Sequence, residues 1–251
     1  MNIDIQFLPF PPNPNLLSGR VIVVIDVLRA TSVMVHAMSK GASEIIPLAT
    51  VEEAFRMAKA FPRGFVILGG ERKNKEIPGF DLGNSPKEYL EERVKGKKLI
   101  LTTTNGTRAF HAVSSGKEIL AGSFLNIGAI AQRCLDLDRD LFIFPSGDEG
   151  NFSLEDTLCG GMLIDLITQK EKKEISLTDA SYSAQILYQR FKDKLLEGFR
   201  LSHHGRELIN RGFENDLVYC AQIDITPLVP VFREGVIRVP LTPFLSPEGR
   251  G

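Results

Sequence analysis

The sequence predicts an α/β fold: a mostly parallel or mixed sheet with helices on both faces. Three observations predict it. Runs dense in β-branched residues, VIVVIDV at 21–27 above all, are almost continuously apolar, as strands covered on both faces are. Segments of helical character alternate with these runs along most of the chain, the order that βαβ units produce. An apolar fraction of 43% with 24% charged residues suits a chain that buries a core, which excludes disorder, collagen-like repeats and a fibrous coiled coil. The 251 residues are read as one domain over 1–251, or as two closely packed lobes meeting near 120–125.

The elements follow in order. Residues 2–7 alternate apolar and polar, as a half-buried strand does, and a proline-rich loop follows at 9–14. Residues 20–28 form the first fully buried strand. A helix over 31–41 ends at Gly41, and 44–48 is a short strand. Thr50 and Glu53 have the spacing of a capping box, opening a helix that stops at Pro62. Another buried strand covers 64–69. The segment 69–85 is rich in Gly, Asn, Pro and charge. Loops beyond ~12–15 residues are uncommon in compact domains and often functional.

Pro86 opens a helix to about Val94. Strand and helix then alternate: 97–103, 105–115, 117–121, 126–135 and 141–145. A long helix covers 153–170, with Glu155 and Asp156 in its first turn, where the helix dipole favours anions. The charge run KEKKE at 170–174 reads as a solvated helix end. Helices are predicted over 178–198, 202–212 and 215–221. Two strands, 227–232 and 235–240, close the chain as a hairpin turning across Arg233-Glu234.

Charge narrows the partners. Lys+Arg 30 against Asp+Glu 31 leaves a net charge of −1, which argues against nucleic acid and anionic membranes but not against a small polyanion. Three scattered cysteines make neither a disulfide framework nor a zinc site, so buried reduced thiols are expected. The N-terminus lacks the pattern of a signal peptide, and no apolar run approaches the ~20 residues that span a bilayer. A cytoplasmic protein is expected.

In open α/β sheets, ligands bind at the carboxyl ends of strands. Four such ends have unusual residues here. Asp26 ends a buried strand, as a metal ligand or nucleophile or else as a cap for the next helix; Arg29 and Thr31 follow within one turn. Gly69-Gly70 permits close backbone approach, and Glu71 and Arg72 then put opposite charges in one mouth. The same loop continues to Asn84, which either reaches the ligand or makes a turn. The run Thr104, Asn105, Gly106, Thr107 and Arg108 brings hydroxyls, helix N–H groups and a guanidinium together as an anion cradle, or is an ordinary polar turn. It lacks the Gly-Lys-Thr ending of a Walker loop.

The fourth end, SGDEG at 146–150, leads to Glu155-Asp156. Clustered carboxylates beside a phosphate cradle suit a hard cation such as Mg²⁺, unless they only stabilise the helix. Leu28 stands where a haloacid-dehalogenase phosphatase needs a second acid. No Arg precedes His203-His204, so that pair is expected on a helix surface or pocket rim. No Gly-x-Ser-x-Gly elbow is present.

DVLRATS (26–32), LGGER (68–72), GFDLGNSP (79–86) and TTTNGTRA (102–109), in this order, strongly resemble the 2-phosphosulfolactate phosphatase family. SLED (153–156), Cys159-Gly160-Gly161, residues 202–208 and the Asp216 segment are also similar to it. The resemblance spans roughly residues 20–240. It implies a Mg²⁺-dependent phosphomonoester hydrolase that converts 2-phospho-3-sulfolactate to sulfolactate and phosphate on the route to coenzyme M. Such a substrate has phosphate, sulfonate and carboxylate on three adjacent carbons, a match for the planar forks of Arg29, Arg72 and Arg108.

With that chemistry, the strand-end residues put catalysis on Asp26, Arg29, Glu71 and Arg72. The same reading puts substrate binding on Thr31, Asn84, Thr104, Asn105, Gly106, Thr107 and Arg108, and Mg²⁺ on Asp26, Glu71 and Asp156. The attacking group is then water on the metal or the Asp26 carboxylate. Water is favoured, because the partner acids of known aspartyl-phosphate enzymes are missing. The alternatives are another small anionic phosphoester as substrate, or a non-catalytic sensor of a phosphometabolite. A homodimer is left open.

Overall fold

The computed structural model describes residues 1–171 and 174–240. In chain order its first half contains β1 (Asn2–Ile5), α1 (Pro14–Leu17), β2 (Val21–Ile25), α2 (Ala30–Ser39), β3 (Glu44–Pro47), α3 (Val51–Ala58), β4 (Val66–Gly70), α4 (Glu91–Val94), β5 (Lys98–Thr102), α5 (Gly106–Ala112) and β6 (Glu118–Gly122). The second half contains α6 (Ile127–Leu137), β7 (Leu141–Pro145), α7 (Leu154–Lys170), β8 (Ser176–Leu177), α8 (Asp179–Phe191), α9 (Leu195–Leu201), α10 (His203–Asn210), α11 (Glu214–Cys220), β9 (Val231–Arg233) and β10 (Val236–Arg238). The α/β class with a mostly parallel sheet is as the sequence predicts.

The strands make one sheet in the order β4-β5-β3-β10-β9-β6-β2-β7-β1-β8. Two parallel blocks, β4-β5-β3 and β6-β2-β7-β1-β8, flank the antiparallel hairpin β9–β10. β10 pairs with β3 through Ile237 and Ile45, and β9 with β6 through Phe232 and Ile119. These side chains are buried, so apolar pairing holds the hairpin between the blocks. Two acids add to it: Glu44 accepts from Arg238, and Glu118 accepts from Arg233. The turn residues are Glu234 and Gly235, both at positive φ, one position later than expected, because a two-residue hairpin turn of that hand needs left-handed conformers.

The sheet curls. In a flat sheet with strands ~4.8 Å apart, β5 and β2 would lie about 24 Å apart. Yet Gly106, just after β5, touches the side chains of Asp26 and Ala30, just after β2. Helix α5 fills the concave face, packing against β2, β3 and α2, with Phe110 and Val113 fully buried. The carboxyl ends of the two parallel blocks thereby face each other across one cleft. Helices α6, α7 and α8 cover the other face around a core of Ile3, Val23, Ile143, Leu163 and Ile164.

Other elements depart from expectation. The predicted helix over 178–198 is two helices, because the chain turns at 192–194 so that α9 packs on α7. The predicted helix from Pro86 is a single tight turn (Pro86–Glu88) followed by α4. Tyr89 breaks it by turning fully inward, where its hydroxyl donates to the Gly83 carbonyl at 2.6 Å. Short elements α1 and β8 are not apparent in the sequence. Lys172 and Lys173 of the charge run lie outside the described residues. The three cysteines are free and buried.

Candidate active site

Asp26 leaves the end of β2 and is held from both sides. Its Oδ1 accepts from the Ala30 N–H at 3.0 Å, so it does cap α2. The Thr31 hydroxyl accepts from the Asp26 N–H (3.0 Å) and donates to the Asp26 carbonyl (2.8 Å). The Asp26 side chain still lines a narrow recess of about 20 Å³, room for one water-sized occupant, together with Arg29, Glu71, Asn84, Asp148, His204 and Glu207.

Glu71 follows β4. Gly70 (φ 132°) is required there, because any β-carbon would collide with the Thr102 carbonyl. The Glu71 carboxylate organises two loops at once. Its Oε1 accepts from the Thr104 N–H at 2.7 Å. Its Oε2 accepts from the Asn74 N–H at 2.8 Å and the Thr104 hydroxyl at 3.0 Å.

A chamber of about 530 Å³ adjoins the recess and shares Lys73, Thr104, Asn105 and Glu149 with it. Arg72 and Arg108 line this chamber. Arg72 is anchored by the carbonyls of Ala49 (2.6 Å) and Glu71 (3.2 Å). Asn105 Oδ1 accepts from the Glu149 N–H at 3.3 Å, tying the β5 and β7 loops together across the cleft.

Several expected residues support the cleft rather than line it. The Thr31 hydroxyl is consumed by Asp26 as above, and the residue is fully buried. Thr107 is fully buried as well, its hydroxyl accepting from the Thr103 N–H and donating to the Thr103 carbonyl. Gly106 is a spacer between α2 and α5. Asp156 lies beneath the recess: its Oδ1 accepts from the Val27 N–H at 2.8 Å and its Oδ2 from the Ser146 hydroxyl at 3.3 Å. The small polar side chains of these turns satisfy their own backbone before they can meet a ligand.

Arg29 is the most constrained cation. Its Nη1 donates to Asp216 Oδ2 at 2.6 Å, and its guanidinium lies over the Phe213 ring at 4.4 Å. Ser85 donates to the other Asp216 oxygen at 2.7 Å. Three buried polar atoms of residues on this recess, Arg29 Nε, Asn84 Oδ1 and His204 Nδ1, have no hydrogen-bond partner among the described residues, which marks the recess as built for a polar occupant.

Electrostatics follow from burial. Burial pushes the Asp26 carboxyl up to about 6, against the Ala30 N–H and His204. Burial, then the adjacent Asp26 and Glu155 charges, holds Asp156 well above the ordinary carboxylate range. Burial and the neighbouring Arg108 charge outweigh Glu71 and lower Arg72. Two carboxyls and two guanidiniums are thus held in like-charged pairs, which an incoming cation and an incoming polyanion would respectively relieve.

Comparison with known proteins decides the family. A family model described as 2-phosphosulpholactate phosphatase matches residues 11–235. The chain belongs to the 2-phosphosulfolactate phosphatase family. It is 40% identical to a protein of Clostridium acetobutylicum named probable 2-phosphosulfolactate phosphatase, over 94% of this chain and 100% of that one. Proteins of the same name from Clostridium novyi and Symbiobacterium thermophilum are 41% and 39% identical, over 92% and 90% of this chain and 97% of each. The family is one of phosphoric monoester hydrolases, and the chain is an enzyme of that class.

In this phosphatase the structure brings Asp26, Arg29, Glu71, Asn84, Thr104 and Asn105 together on one recess, with Arg72 and Arg108 in the adjoining chamber. The sequence reading allows His204 a place at a pocket rim, and it does line the recess; Lys73, Asn74 and Glu207, which line it as well, were not singled out. His204 is buried rather than at a surface. The carboxylate beside its ring, Asp148 at 3.4 Å, was the available signal.

A metal fits this phosphatase in a restricted way. Among the described residues no three His, Cys, Asp or Glu side chains form a ready cage. The donors at the recess are hard oxygens, however, and Mg²⁺ usually takes one or two carboxylates, keeping waters and substrate phosphate as its other ligands. Asp26 has a buried carboxylate on the recess. Both oxygens of Glu71 already accept backbone N–H groups, which leaves it a weaker donor.

Proposed function

We propose that the protein is a Mg²⁺-dependent phosphomonoester hydrolase that converts 2-phospho-3-sulfolactate to 3-sulfolactate and inorganic phosphate, in the cytoplasm and on the route to coenzyme M. The observation that supports this reading is the pairing of an acid-lined recess with a larger chamber walled by Arg72, Lys73 and Arg108. Phosphate at their junction would leave the remaining anions of the substrate facing the chamber cations. The chamber also has the apolar side chains Pro9, Pro11, Ala109 and Phe144 in its wall, a surface for a short carbon chain.

Asp26 would hold Mg²⁺, with Glu71 and Asp156 keeping the surrounding loops and charge in place. A bound Mg²⁺ polarises the phosphoryl oxygens and offsets charge in the transition state. Asn105, whose Oδ1 is already taken by the Glu149 N–H, orients the phosphoryl oxygens with its side-chain NH2 group. The chamber cations bind the distant anions and fix which ester bond reaches the recess. A water attacks phosphorus in line with the departing ester oxygen.

The test is release of inorganic phosphate from synthetic 2-phosphosulfolactate and from 2-phospholactate, each with Mg²⁺ and with EDTA. The reading expects Mg²⁺-dependent release and a preference for the sulfonated ester. No release from either ester with Mg²⁺ would refute it, and equal kcat/KM for both would remove the sulfonate from the assignment.

A further inference from the structure

His204 and Asp148 come from distant parts of the sequence, yet both line the recess that holds Asp26. The Asp148 carboxylate lies between two imidazoles: its Oδ2 is hydrogen-bonded to His203 Nδ1 at 2.8 Å, and its Oδ1 is in ion-pair range of His204 Nδ1 at 3.4 Å. Asp148 is fixed by reciprocal backbone hydrogen bonds with Asn151, at 3.0 and 2.9 Å. His204 is fixed by the start of α10, where the Ser202 hydroxyl accepts from the Gly205 N–H at 2.9 Å. Gly205 itself lies so near the Phe199 carbonyl that no side chain fits there. The ring of His204 is buried on the recess, and its Nδ1 lies in ion-pair range of Asp148 without a hydrogen bond among the described residues, so its proton is available to an occupant of the recess.

We propose that His204 is the general acid of the phosphatase reaction, donating an imidazolium proton to the departing ester oxygen, with the Asp148 carboxylate beside the ring holding it charged and in place. This rests on the phosphatase reading above. The alkoxide of a secondary alcohol is strongly basic, so its expulsion needs a proton as the P–O bond breaks. The water oxygen forms the new P–O bond and the ester P–O bond breaks. The imidazolium proton moves to the alcohol oxygen, and the attacking water keeps its two protons within the product dihydrogen phosphate. That product then loses one proton, which restores the imidazolium through solvent.

The surroundings favour a charged ring. Asp148 comes from the β7 loop, Glu155 from α7 and Asp26 from the end of β2; Glu207 and His203 share its own helix. Arg29 and Lys73 are the cations on the same recess. Burial pulls the imidazole down, but Asp148, Glu155 and Asp26 outweigh it and hold His204 above the ordinary histidine value. Arg29 cannot serve as the acid, because a guanidinium does not give up its proton in a protein.

The test compares two esters, 2-phosphosulfolactate and p-nitrophenyl phosphate, whose nitrophenolate leaves without protonation. The loss of kcat in His204→Gln should be larger on the alkyl ester than on the aryl ester by ~10²-fold or more, within the range of general acid catalysis. Asp148→Asn should move the alkaline fall of kcat/KM on the alkyl ester to lower pH. Equal losses on both esters in His204→Gln would overturn the assignment and leave the phosphatase reading intact. If that variant does not fold, an unmoved alkaline limb in Asp148→Asn overturns it. A wild-type protein that cleaves neither ester overturns both readings.

Discussion

Gly106 stands so close to Asp26 that a β-carbon on it would lie 2.6 Å from Asp26 Oδ2, and it would also collide with the β-carbon of Ala30. The residue after the β5 loop therefore sets the position of the carboxylate after β2. Gly106→Ala should displace Asp26 or push α5 from α2. A displacement near 1 Å costs about 10²-fold in rate when catalysis depends on positioning. Steady-state kinetics should show kcat lowered by roughly that factor, with a lowered melting temperature. Wild-type kcat in a folded Gly106→Ala would show that Asp26 placement is not critical.

Asp26 makes stability depend on pH with a defined sign. Burial raises its folded-state carboxyl from 3.8 to about 6, so the folded protein binds this proton more tightly than the unfolded chain does. Without metal, stability should fall as pH rises from about 4 to 6 and stay low above that, by on the order of 2–3 kcal/mol. Asp26→Asn should flatten this fall and be the more stable protein at pH 8 in EDTA, while losing ~10³-fold in turnover, the scale of electrostatic terms in catalysis. Urea denaturation at pH 4.5 and pH 8, with EDTA and with Mg²⁺, measures both effects. Mg²⁺ should stabilise the wild type at pH 8 and the variant far less.

The Arg29–Asp216 pair is almost wholly buried, with side chains 2% and 3% exposed. Asp216→Ala would leave a buried guanidinium without its carboxylate and should destabilise the protein by about 3–5 kcal/mol. Asp216→Asn keeps an acceptor for Arg29 and should cost less. The midpoint of denaturation reports the difference. Equal, small losses in both variants would mean that Arg29 finds another partner or reaches water.

Arg108 has no hydrogen bond or ion pair among the described residues, whereas Arg72 is held by two carbonyls. Arg108→Ala should therefore leave stability within about 0.5 kcal/mol, as surface changes do. It should raise KM roughly 10–100-fold, the worth of one charged hydrogen bond. Arg72→Ala should raise KM too and also lower the melting temperature, because the Ala49 carbonyl loses its donor. An unchanged KM for both variants would remove the chamber from substrate binding.

Much of the fold was legible in local pattern. The unbroken apolar run of β2 declared a strand buried on both faces, and the Thr50–Glu53 capping box is present with both of its hydrogen bonds. Ser153 caps α7 where the pattern of 153–170 places its start. These features depend on neighbours within a few residues. The break at 192–194 and the inward turn of Tyr89 were not legible, because both answer to side chains packed from elsewhere.

The candidate site divides in the same way. Asp26, Glu71, Asn105 and the arginines were visible because strand ends and short polar motifs announce themselves in the chain. The burial of His204 and the pairing of Asp216 with Arg29 were not, because they join segments more than 50 and more than 180 residues apart.

By itself the amino-acid sequence determined the α/β class, nearly every strand and helix, the family, and the strand ends where chemistry is placed. Only the tertiary structure decided that the hairpin β9–β10 sits between the two parallel blocks and that the sheet curls around α5. It also decided which polar residues face the ligand and which only hold others. The physical reason is range: apolar periodicity and caps act within a few residues, whereas curvature and burial arise from contacts among strands that the chain keeps far apart.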